Sequence, residues 1–454
     1  MYAQVAVENV NCTFDKDYDY SIPQQLEGKA LVGCRVAVPF GIGNRKRIGI
    51  ITRLTDSTQG KRIKSISAVL DEAPLLSNEM MSLARWISEQ TFCTYYEAVK
   101  AMLPAGINHK IIRSFCAVPG VDESVIASLD SDEKQVYDYL LSRSGYVKPE
   151  NFLKTLGFDV SSDIPERLLK VGLLAANDDA VRNIGDNNIR MVRLCEGSDD
   201  VSMTKKQSEV VNVLKDVGSV SVKELCYFTG YTPSVISALE KKSVVECFER
   251  EELRSFVSRY AVQSAYDSGE IHLTDEQQKA YDGLLEDYKS GTGKTALLYG
   301  VTGSGKTSVY LKLIDTVLAD NKTVIVMVPE ISLTPQTLSV FHSRYNDGVA
   351  VFHSALSAGE RADEWKRVKN GDAKIVIGTR SAVFAPLENI GLIIIDEEQE
   401  HTYKSEQTPR YNAKSVARYR AAWHKGLTLL ASATPSVESF AAAKSGKYSL
   451  YELK

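Results

Sequence analysis

The sequence predicts a multidomain protein with a small β-rich N-terminal domain, a mixed α+β middle and a C-terminal α/β lobe built on a parallel sheet. Short apolar strands separated by Gly, Asn and Asp turns fill residues 1 to about 72. Short capped helices follow in the middle, and from about residue 273 apolar strands alternate with helices. A length of 454 residues allows two to four domains, each with its own core.

Composition and charge limit the classes of protein to which the chain can belong. With 44% hydrophobic and 25% charged residues, it is an ordinary globular sequence. The net charge of −4 gives no overall attraction to nucleic acid, so DNA binding would need local basic patches such as residues 45–47 and 61–64. The seven cysteines are dispersed and form no C-x-x-C pair, so no zinc site is expected within this sequence. A signal-peptide pattern and a long apolar run are both missing, which predicts a cytoplasmic protein that does not associate with membranes.

The N-terminal domain is expected to span residues 1–110. Alternating apolar residues predict strands over residues 3–10, 31–39, 47–54 and 63–70, enough for a small barrel or sandwich. Residues 80–102 are predicted to be helical, since Leu83, Trp86 and Ile87 recur at helical spacing.

The middle of the chain contains a weak internal repeat. Residues 145–148 and 218–221 are similar glycine-led turns, and each follows a helix that begins at a capping box, Asp130 with Glu133 or Thr204 with Gln207. A second capped helix is predicted in each unit, at residues 162–171 and 232–241. This order is typical of winged helices, so we expect winged-helix-like units at 111–200 and 201–262. Contact with duplex DNA and a spacer role are equally favoured, because acidic residues dilute the charge of the second helices.

Residues 300–307, Gly-Val-Thr-Gly-Ser-Gly-Lys-Thr, match a phosphate-binding loop in full. An apolar strand precedes them and a helix follows, which is the context that the motif requires. Lys306 is expected to reach the β- and γ-phosphates of a nucleotide, and Thr307 to bind Mg²⁺. The shorter echo at residues 291–295 has no preceding strand and is expected to be a decoy. The residues expected to cradle phosphate are Gly300, Thr302, Gly303, Ser304, Gly305, Lys306 and Thr307.

Two further signals belong to nucleotide chemistry. Gln277 lies upstream of the phosphate loop and is expected to hydrogen-bond adenine through its amide. Downstream, four consecutive aliphatic residues run into Asp396 and Glu397, which makes a surface cluster of acids improbable. Asp396 is predicted to hold Mg²⁺ and Glu397 to orient or deprotonate the attacking water, so Lys306, Asp396 and Glu397 are the expected catalytic residues.

Several loops at the ends of predicted strands carry groups suited to single-stranded DNA. Arg380, within Gly378-Thr379-Arg380-Ser381, offers a guanidinium to a phosphate backbone. After the acids, Tyr403 and Lys404 combine an aromatic ring with a cation and could stack on bases, although a solvated loop is equally favoured there. Residues 432–436 could couple nucleotide state to strand contacts, but an ordinary turn is the favoured interpretation.

Taken together, these motifs resemble those of superfamily 2 helicases and, more narrowly, the PriA family of bacterial primosomal replication-restart helicases. The resemblance implies a first RecA-like helicase lobe at 263–454 that uses ATP and Mg²⁺. It also implies 3′→5′ DNA unwinding at stalled or forked DNA and the start of primosome assembly. The segments that carry it are residues 300–307, 329–333, 378–386, 396–399 and 432–435.

The N-terminal residues are similar to the family's 3′-end-binding domain. The resemblance implies a pocket for the 3′ terminal nucleotide formed by Tyr18, Asp19, Gly41 and Lys64. An aromatic ring for stacking, a carboxylate for a 3′-hydroxyl, a glycine for close approach and a lysine for charge make chemical sense there. Two features depart from the family, which commonly has one winged helix and often has Phe where this chain has Tyr18.

The sequence matches only part of the family pattern. After Lys454 the second motor lobe with its arginine finger is missing, as are a zinc-binding cysteine cluster and a C-terminal domain, so zinc is expected only in that missing part. The chain by itself is therefore expected to bind nucleotide weakly and hardly to hydrolyse it. Expected partners are forked and single-stranded DNA and, by resemblance, single-strand-binding protein and primosome proteins. Another superfamily 2 translocase, or a non-catalytic fork-binding platform, remains open.

Overall fold

The computed structural model of the protein describes residues 1–41, 43–58, 63–121, 123–182, 188–195, 202–251 and 271–454. The chain forms two compact units, one from Met1–Asn183 with Val257–Lys454 and the other from Ile184–Phe256. Among the described helices, none has both the length and the apolar character needed to cross a bilayer. The predicted basic patch at residues 61–64 lies partly outside the described residues.

The N-terminal domain contains a six-stranded sheet of order β5-β2-β1-β4-β3-β6. The first three expected strands are confirmed, whereas the expected strand at 63–70 is two separate short strands, and the short β2 was missed because its sequence Tyr-Asp-Tyr-Ser carries no apolar run. The paired strands β1 and β4 are so close that a Cβ on Gly49 would lie 2.4 Å from the Val5 side chain. The strands are β1 (Tyr2–Val7), β2 (Tyr18–Ser21), β3 (Arg35–Phe40), β4 (Arg45–Thr55), β5 (Lys64–Ser65) and β6 (Ala68–Val69).

The helical prediction over residues 80–102 is confirmed, and the stretch is divided into two helices: α1 (Asn78–Thr91) and α2 (Tyr95–Met102). Phe92 ends the first in the left-handed conformation, at φ 53°. Thr94 then opens the second with a capping box, in which its side chain accepts from the Glu97 amide and Glu97 accepts from the Thr94 amide. The apolar periodicity continues through this break and does not reveal it, whereas the Thr-x-x-Glu capping pattern is visible in the sequence.

A small helical subdomain follows on a two-stranded antiparallel ribbon of β7 and β8. The predicted capping box is confirmed, since the Asp130 side chain accepts from the Glu133 amide at 2.7 Å. Buried residues of α4, α5 and α6 form a core of their own around Tyr137, Phe152 and Leu168. The elements are β7 (His109–Ala117), α3 (Glu123–Ala127), α4 (Ser131–Leu141), α5 (Pro149–Leu156), α6 (Ile164–Lys170) and β8 (Leu174–Arg182).

The second compact unit has three helices and an antiparallel sheet of order β10-β9-β11 around a separate core. The predicted Thr204–Gln207 capping box opens its first helix, and Ser221 caps the next with Glu224. Its strand β9 precedes residue 201, where the second winged-helix-like unit was expected to begin. The elements are β9 (Asn188–Leu194), α7 (Lys205–Val217), β10 (Ser219–Ser221), α8 (Val222–Thr229), α9 (Pro233–Lys241) and β11 (Val245–Glu251).

The C-terminal lobe confirms the predicted α/β class, with seven parallel strands in the order β14-β15-β13-β16-β17-β12-β18, consistent with a RecA-like fold. Its strands are β12 (Thr295–Gly300), β13 (Thr323–Met327), β14 (Val349–Phe352), β15 (Ile375–Gly378), β16 (Ile390–Asp396), β17 (Leu427–Ser432) and β18 (Ser449–Leu453). Its helices are α10 (Asp275–Lys289), α11 (Lys306–Ala319), α12 (Pro335–Tyr345), α13 (Ala358–Asn370), α14 (Ala413–His424) and α15 (Val437–Lys444).

The sheet places the functional loops together. Every strand of the lobe runs in the same direction, so the loops that leave their carboxyl ends share one edge. The glycine echo at residues 291–295 lies before β12, at the opposite edge, where Lys294 pairs with Asp287 at 2.7 Å. Its interpretation as a decoy agrees with this position.

The N-terminal domain and the C-terminal lobe share contacts within the first compact unit. Arg420 of α14 is fully buried and pairs with Glu79 of α1 at 2.8 Å. Gly106, just after α2, approaches α13 so closely that a Cβ would lie 2.1 Å from the Ala358 carbonyl. The N-terminal domain and the C-terminal lobe are therefore packed directly against one another.

Candidate functional site

The loop between β12 and α11 has the tight backbone that phosphate binding requires. Gly303 and Gly305 adopt φ values of 83° and 84°, in the left-handed region that favours glycine. At Gly300 a Cβ would lie 2.6 Å from the Ser304 hydroxyl and 2.9 Å from the Leu453 side chain. These glycines are needed for the loop to close on itself above the helix N-terminus, where anions are stabilised.

Two polar groups in this loop, the Lys306 ammonium and the Ser304 hydroxyl, are suited to binding an anion. Lys306 is only 8% exposed, and its Nζ donates to the carbonyls of Gly300 at 2.7 Å and Val301 at 3.2 Å. The Ser304 hydroxyl is buried and has no hydrogen-bond partner within the described part of the chain. A phosphate group would supply the acceptor that the Ser304 hydroxyl lacks and would bring negative charge to the Lys306 ammonium, so the residues present fit a nucleotide.

The predicted acid Asp396 ends β16, and only β17 separates that strand from β12. Burial raises the pKa of Asp396 to about 6 and the Glu397 charge adds to the increase, whereas the Lys306 ammonium opposes it. Lys306 and Asp396 therefore lie close enough for their charges to interact at the shared edge. A cation bound beside Asp396 would favour its ionised form.

Tyr310, which sequence reasoning missed, links the two residues predicted to hold Mg²⁺. Burial raises the pKa of Tyr310, as does the charge of Asp396, and both Thr307 and Asp396 lie close enough to its hydroxyl to shift that pKa. Tyr310 lies one helical turn after Thr307 on α11, a spacing that places both on one face. The donor set of a hydroxyl and a carboxylate, gathered around one phenol, fits a magnesium ion.

Glu397 is oriented by a chain of hydrogen bonds that begins at the end of β17. The Ser432 hydroxyl donates to Gln399 Oε1 at 2.6 Å, and Gln399 Nε2 donates to Glu397 Oε2 at 2.9 Å. Glu397 itself has a left-handed φ of 46°, a conformation that a non-glycine residue adopts only when its surroundings hold it. Residues 432–436 therefore do more than form the ordinary turn that the sequence favoured.

Glu398 is a second residue that sequence reasoning left without a role. Its carboxylate is fully buried and accepts from Lys414 Nζ at 2.7 Å, the Ser436 amide at 2.6 Å and the Ser439 hydroxyl at 2.9 Å. Burial would raise the pKa of Glu398, but these donors lower it below its ordinary value. Glu398 thereby ties the acid-bearing loop to α14 and α15.

Gln277 lies against the phosphate loop, but its amide is already engaged. Its Oε1 accepts from the Thr274 amide at 3.0 Å in a capping box, and its Nε2 donates to the Ser304 carbonyl at 3.0 Å. A Cβ on Gly305 would lie 2.2 Å from the same Nε2. The predicted adenine contact would require Gln277 to exchange these bonds for ligand bonds.

Among the residues expected to bind single-stranded DNA, Arg380 and Lys404 are brought together. Arg380 Nη1 donates to the carbonyls of Thr402 at 3.2 Å and Lys404 at 2.7 Å, and the Lys404 side chain is exposed. The expectation that Tyr403 stacks on a base is wrong for this structure, because its side chain is 1% exposed. Its hydroxyl donates to the carbonyls of Met327 at 3.1 Å and Asp396 at 2.6 Å, so Tyr403 positions the acid loop.

In the N-terminal domain, the four residues expected at the 3′-end site all line one pocket of about 410 Å³. Lys64 Nζ donates to the Gly41 carbonyl at 2.6 Å, and the Asp19 carboxylate accepts from Thr58 at 2.6 Å. The Tyr18 ring meets Phe40 edge-on, with centroids 5.0 Å apart. Residues that are far apart in the sequence thus line one pocket, as the resemblance implied.

The basic residues 45–47 are less free than their sequence suggests. Arg45 pairs with Glu166 at 2.9 Å, and Lys46 Nζ donates to the Asp178 carbonyl at 2.7 Å. Arg47 Nη1 donates to the Asn9 carbonyl at 2.9 Å. These contacts with neighbouring acids and carbonyls reduce the positive field of this patch.

Comparison with known proteins agrees with this geometry. Residues 4–104 match the family model of the PriA 3′ DNA-binding domain, and residues 274–442 match the DEAD/DEAH box helicase family. Over its whole length the chain is 36% identical to the replication restart protein PriA of Bacillus subtilis, of which it covers 56%.

Other relatives carry the same description. The chain is 30% identical over its whole length to replication restart protein PriA of Chlamydia pneumoniae, covering 51% of that protein. Over 93% of its length it is 32% identical to the Synechocystis protein of that name, again covering 51%. The chain spans about half the length of the curated relatives it matches. The chain thus carries a PriA 3′ DNA-binding domain and a DEAD/DEAH box helicase domain, and over its whole length it is similar to the replication restart proteins named PriA.

Proposed function

We propose that this chain is the DNA-recognising and nucleotide-binding part of an ATP-dependent 3′→5′ DNA helicase. In this proposal it recognises stalled or forked DNA and initiates primosome assembly for replication restart. The observation that carries the proposal is the convergence of Lys306, Thr307 and Asp396, around Tyr310, at one edge of a parallel sheet. A pocket lined by every predicted DNA-end residue lies in the same compact unit.

The chemistry of the site is in-line attack of water on the γ-phosphate. ATP when bound supplies the phosphoryl group, and Mg²⁺ neutralises its charge. Lys306 would leave the carbonyls of Gly300 and Val301 to contact phosphate oxygens. Thr307 and Asp396 would hold the ion, and Glu397, oriented through Gln399, would position or deprotonate the water.

The DNA contacts of the proposal involve both parts of the unit. Tyr18, Asp19, Gly41 and Lys64 would hold the 3′ terminal nucleotide of a nascent strand, and Arg380 with Lys404 would contact single-stranded DNA near the nucleotide site. We also propose that residues 111–200 and 201–262 are winged-helix-like units. Each has a capped helix followed by two short helices, as duplex-binding units do.

The assembly role is proposed from the family alone. By that resemblance, single-strand-binding protein and other primosome proteins are the expected protein partners, and any zinc belongs to a part outside this sequence. We further propose that the 454-residue chain by itself hydrolyses ATP very slowly. An arginine finger from a second lobe would contribute roughly 10³–10⁵ in rate.

Two titrations test the proposal. A strand with a free 3′-hydroxyl should bind the chain more tightly than the same strand with a 3′-phosphate, and Lys64→Ala should weaken that preference. A fluorescent ADP analogue with Mg²⁺ should bind the native chain, and Lys306→Ala should abolish that binding while leaving fork binding unchanged. Equal affinity for both strand ends would reject the end-recognition function, and unchanged nucleotide binding by Lys306→Ala would reject the assignment of the phosphate loop.

A further inference from the structure

A cavity of about 350 Å³ lies between the N-terminal domain and the parallel-sheet lobe, apart from both sites described above. One wall is formed by α2 and the segment after it, and the other by α13, the end of β14 and the loop after β15. Its apolar lining consists of Ala101, Met102, Leu103, Pro104, Phe352, Trp365 and Phe384. Its polar lining consists of Lys100, Asn108, His353, Arg361 and Ser381.

Two residues that line this cavity each carry a buried donor atom without an acceptor among the described residues. The Nε1 atom of Trp365 and the Nε atom of Arg361 are both inaccessible to solvent and without a hydrogen-bond partner among the described residues. The Trp365 side chain as a whole is 3% exposed. Indole and guanidinium nitrogens can only donate, so neither atom can be satisfied by a further donor. Buried donors of this kind are normally paired, which points to a partner absent from the chain itself.

A second arginine on α13 has hydrogen-bond partners, so the unpaired donors of Arg361 and Trp365 are unusual on this helix. Arg367, also on α13, uses its guanidinium fully, on the Glu364 carboxylate at 3.0 Å and on the carbonyl of Val349 at 3.4 Å. Arg361 and Trp365 instead lie four residues apart, one above the other on one face of α13. Both donors thus belong to one wall of one cavity.

The cavity also adjoins the loop that carries Arg380. Ser381 follows Arg380 directly and lines the cavity, while Phe352 of β14 packs against Gly378, where a Cβ would lie 2.2 Å from the Phe352 carbonyl. Under the proposed function this loop contacts single-stranded DNA. A base turned away from the strand at Ser381 would therefore have the cavity beside it.

We propose that this cavity, the Trp365 pocket, receives one unstacked nucleobase. Every base has ring nitrogens or carbonyl oxygens that can accept from the two N–H groups, and a flat face that packs against aromatic and aliphatic side chains. The volume of about 350 Å³ lies near the lower end of the roughly 300–1,000 Å³ of small-molecule sites, which suits a single base or nucleoside. The apolar majority of the lining disfavours an isolated phosphate.

The base can come from two sources, the bound strand or a free nucleoside, and the strand source rests on the proposed function. The first experiment measures binding of the 454-residue chain to a single strand in which each base in turn is replaced by an abasic site. One position should lose about ten-fold in affinity, as expected when a stacked base is removed. In Trp365→Phe, which removes the N–H and keeps a ring, that penalty should shrink to about two-fold.

Two further variants make the result interpretable. Trp423→Phe changes a tryptophan that is 49% exposed on α14 and should leave the abasic profile of the native chain unchanged. Arg361→Met keeps the aliphatic stem, removes the second donor and should reduce the same penalty. If Trp365→Phe lowers the unfolding temperature, Arg361→Met carries the test by itself.

The second experiment titrates the chain with adenosine and uridine, which contain no phosphate, and repeats the titration with inorganic phosphate. Saturable nucleoside binding that is lost in Trp365→Phe, together with a flat abasic profile, would assign the pocket to a free nucleoside. A flat profile with no nucleoside binding would overturn the proposal, as would phosphate binding that is lost in Trp365→Phe. If the native chain binds no single strand at all, the proposed function fails, while the nucleoside titration still decides the pocket.

Discussion

At the scale of single residues, the hydroxyl of Tyr310 is the smallest feature on which the nucleotide site depends. Thr307 and Asp396, the two side chains proposed to share a metal ion, both lie close enough to this hydroxyl to shift its pKa. We expect Tyr310→Phe to weaken Mg²⁺-dependent binding of a fluorescent ADP analogue by about 3- to 10-fold, the equivalent of one hydrogen bond. The matched control is Tyr281→Phe, which removes a hydroxyl bonded to Thr316 at 2.8 Å in the same lobe. Equal affinities for the two variants would contradict the role of Tyr310.

Replacing Asp396 should change the stability of the protein and its Mg²⁺-dependent nucleotide binding in opposite directions. Because burial raises its pKa to about 6 from an ordinary 3.8, its ionised form destabilises the folded protein at neutral pH. The penalty is absent well below pH 3.8 and complete above about pH 6, and it amounts to at most about 3 kcal/mol at about 1.4 kcal/mol per pKa unit.

Asp396→Asn should therefore raise resistance to urea at pH 7.5, by a smaller amount at pH 5, while abolishing the Mg²⁺ dependence of nucleotide binding. Urea titrations at both pH values, paired with ADP titrations with and without Mg²⁺, measure the two effects. A destabilised Asp396→Asn protein at pH 7.5 would show that the carboxylate is held by contacts stronger than its burial cost.

At the scale of elements, the break between α1 and α2 depends on one cap. Thr94 accepts from the Glu97 amide at 3.2 Å and its own amide donates to the Glu97 carboxylate at 2.8 Å. We expect Thr94→Ala to lower the free energy of unfolding by about 1 kcal/mol, and Thr94→Ser to recover most of it, because serine restores the accepting oxygen. Urea unfolding followed by circular dichroism measures this difference. If Thr94→Ala and Thr94→Ser are equally stable, the cap does not hold the break in place.

Elements also show where sequence reasoning succeeds and where it stops. The phosphate loop, its strand and its helix were predicted because their signals are local: glycine spacing, an apolar run and a periodic face. The burial of Tyr403 was not, since its hydroxyl reaches Met327, which lies 76 positions earlier. The bond from Ser432 to Gln399 is likewise non-local, with 33 positions between its ends. Such partners are known only once the order of the strands is known.

At the scale of the molecule, the DNA-end domain and the helicase lobe are joined by a buried ion pair. Arg420 donates to Glu79 and, in addition, to the carbonyls of Val383, Ala385 and Leu387 at 2.8 to 3.2 Å. Burial would raise the pKa of Glu79, but the charge and hydrogen bonds of Arg420 together with His424 outweigh it, and the pKa is lowered. Its contribution to stability is therefore present at neutral pH and is lost as the pH falls through the acidic range.

The Arg420–Glu79 pair also contacts the loop after β15, so breaking it should affect both the N-terminal domain and the helicase lobe. Arg420→Met leaves a buried carboxylate and three carbonyls without their donor, and we expect a loss of about 3–5 kcal/mol in the free energy of unfolding. Glu79→Gln preserves the shape and the carbonyl contacts of Arg420, so it should cost less, and less still at acidic pH. Arg418→Met removes an exposed cation from the same helix and should cost under about 1 kcal/mol.

Urea unfolding of the three variants at pH 7 and pH 3.5 gives the order, and a titration with single-stranded DNA gives the functional consequence. Because Arg420 holds the carbonyls that follow Ser381, Glu79→Gln should weaken strand binding even where the protein remains folded, whereas Arg418→Met should leave the contribution of this loop intact. If Arg420→Met were as stable as Arg418→Met, the two parts of the unit would be held by apolar packing alone. The ion pair would then have no share in linking DNA-end recognition to the helicase lobe.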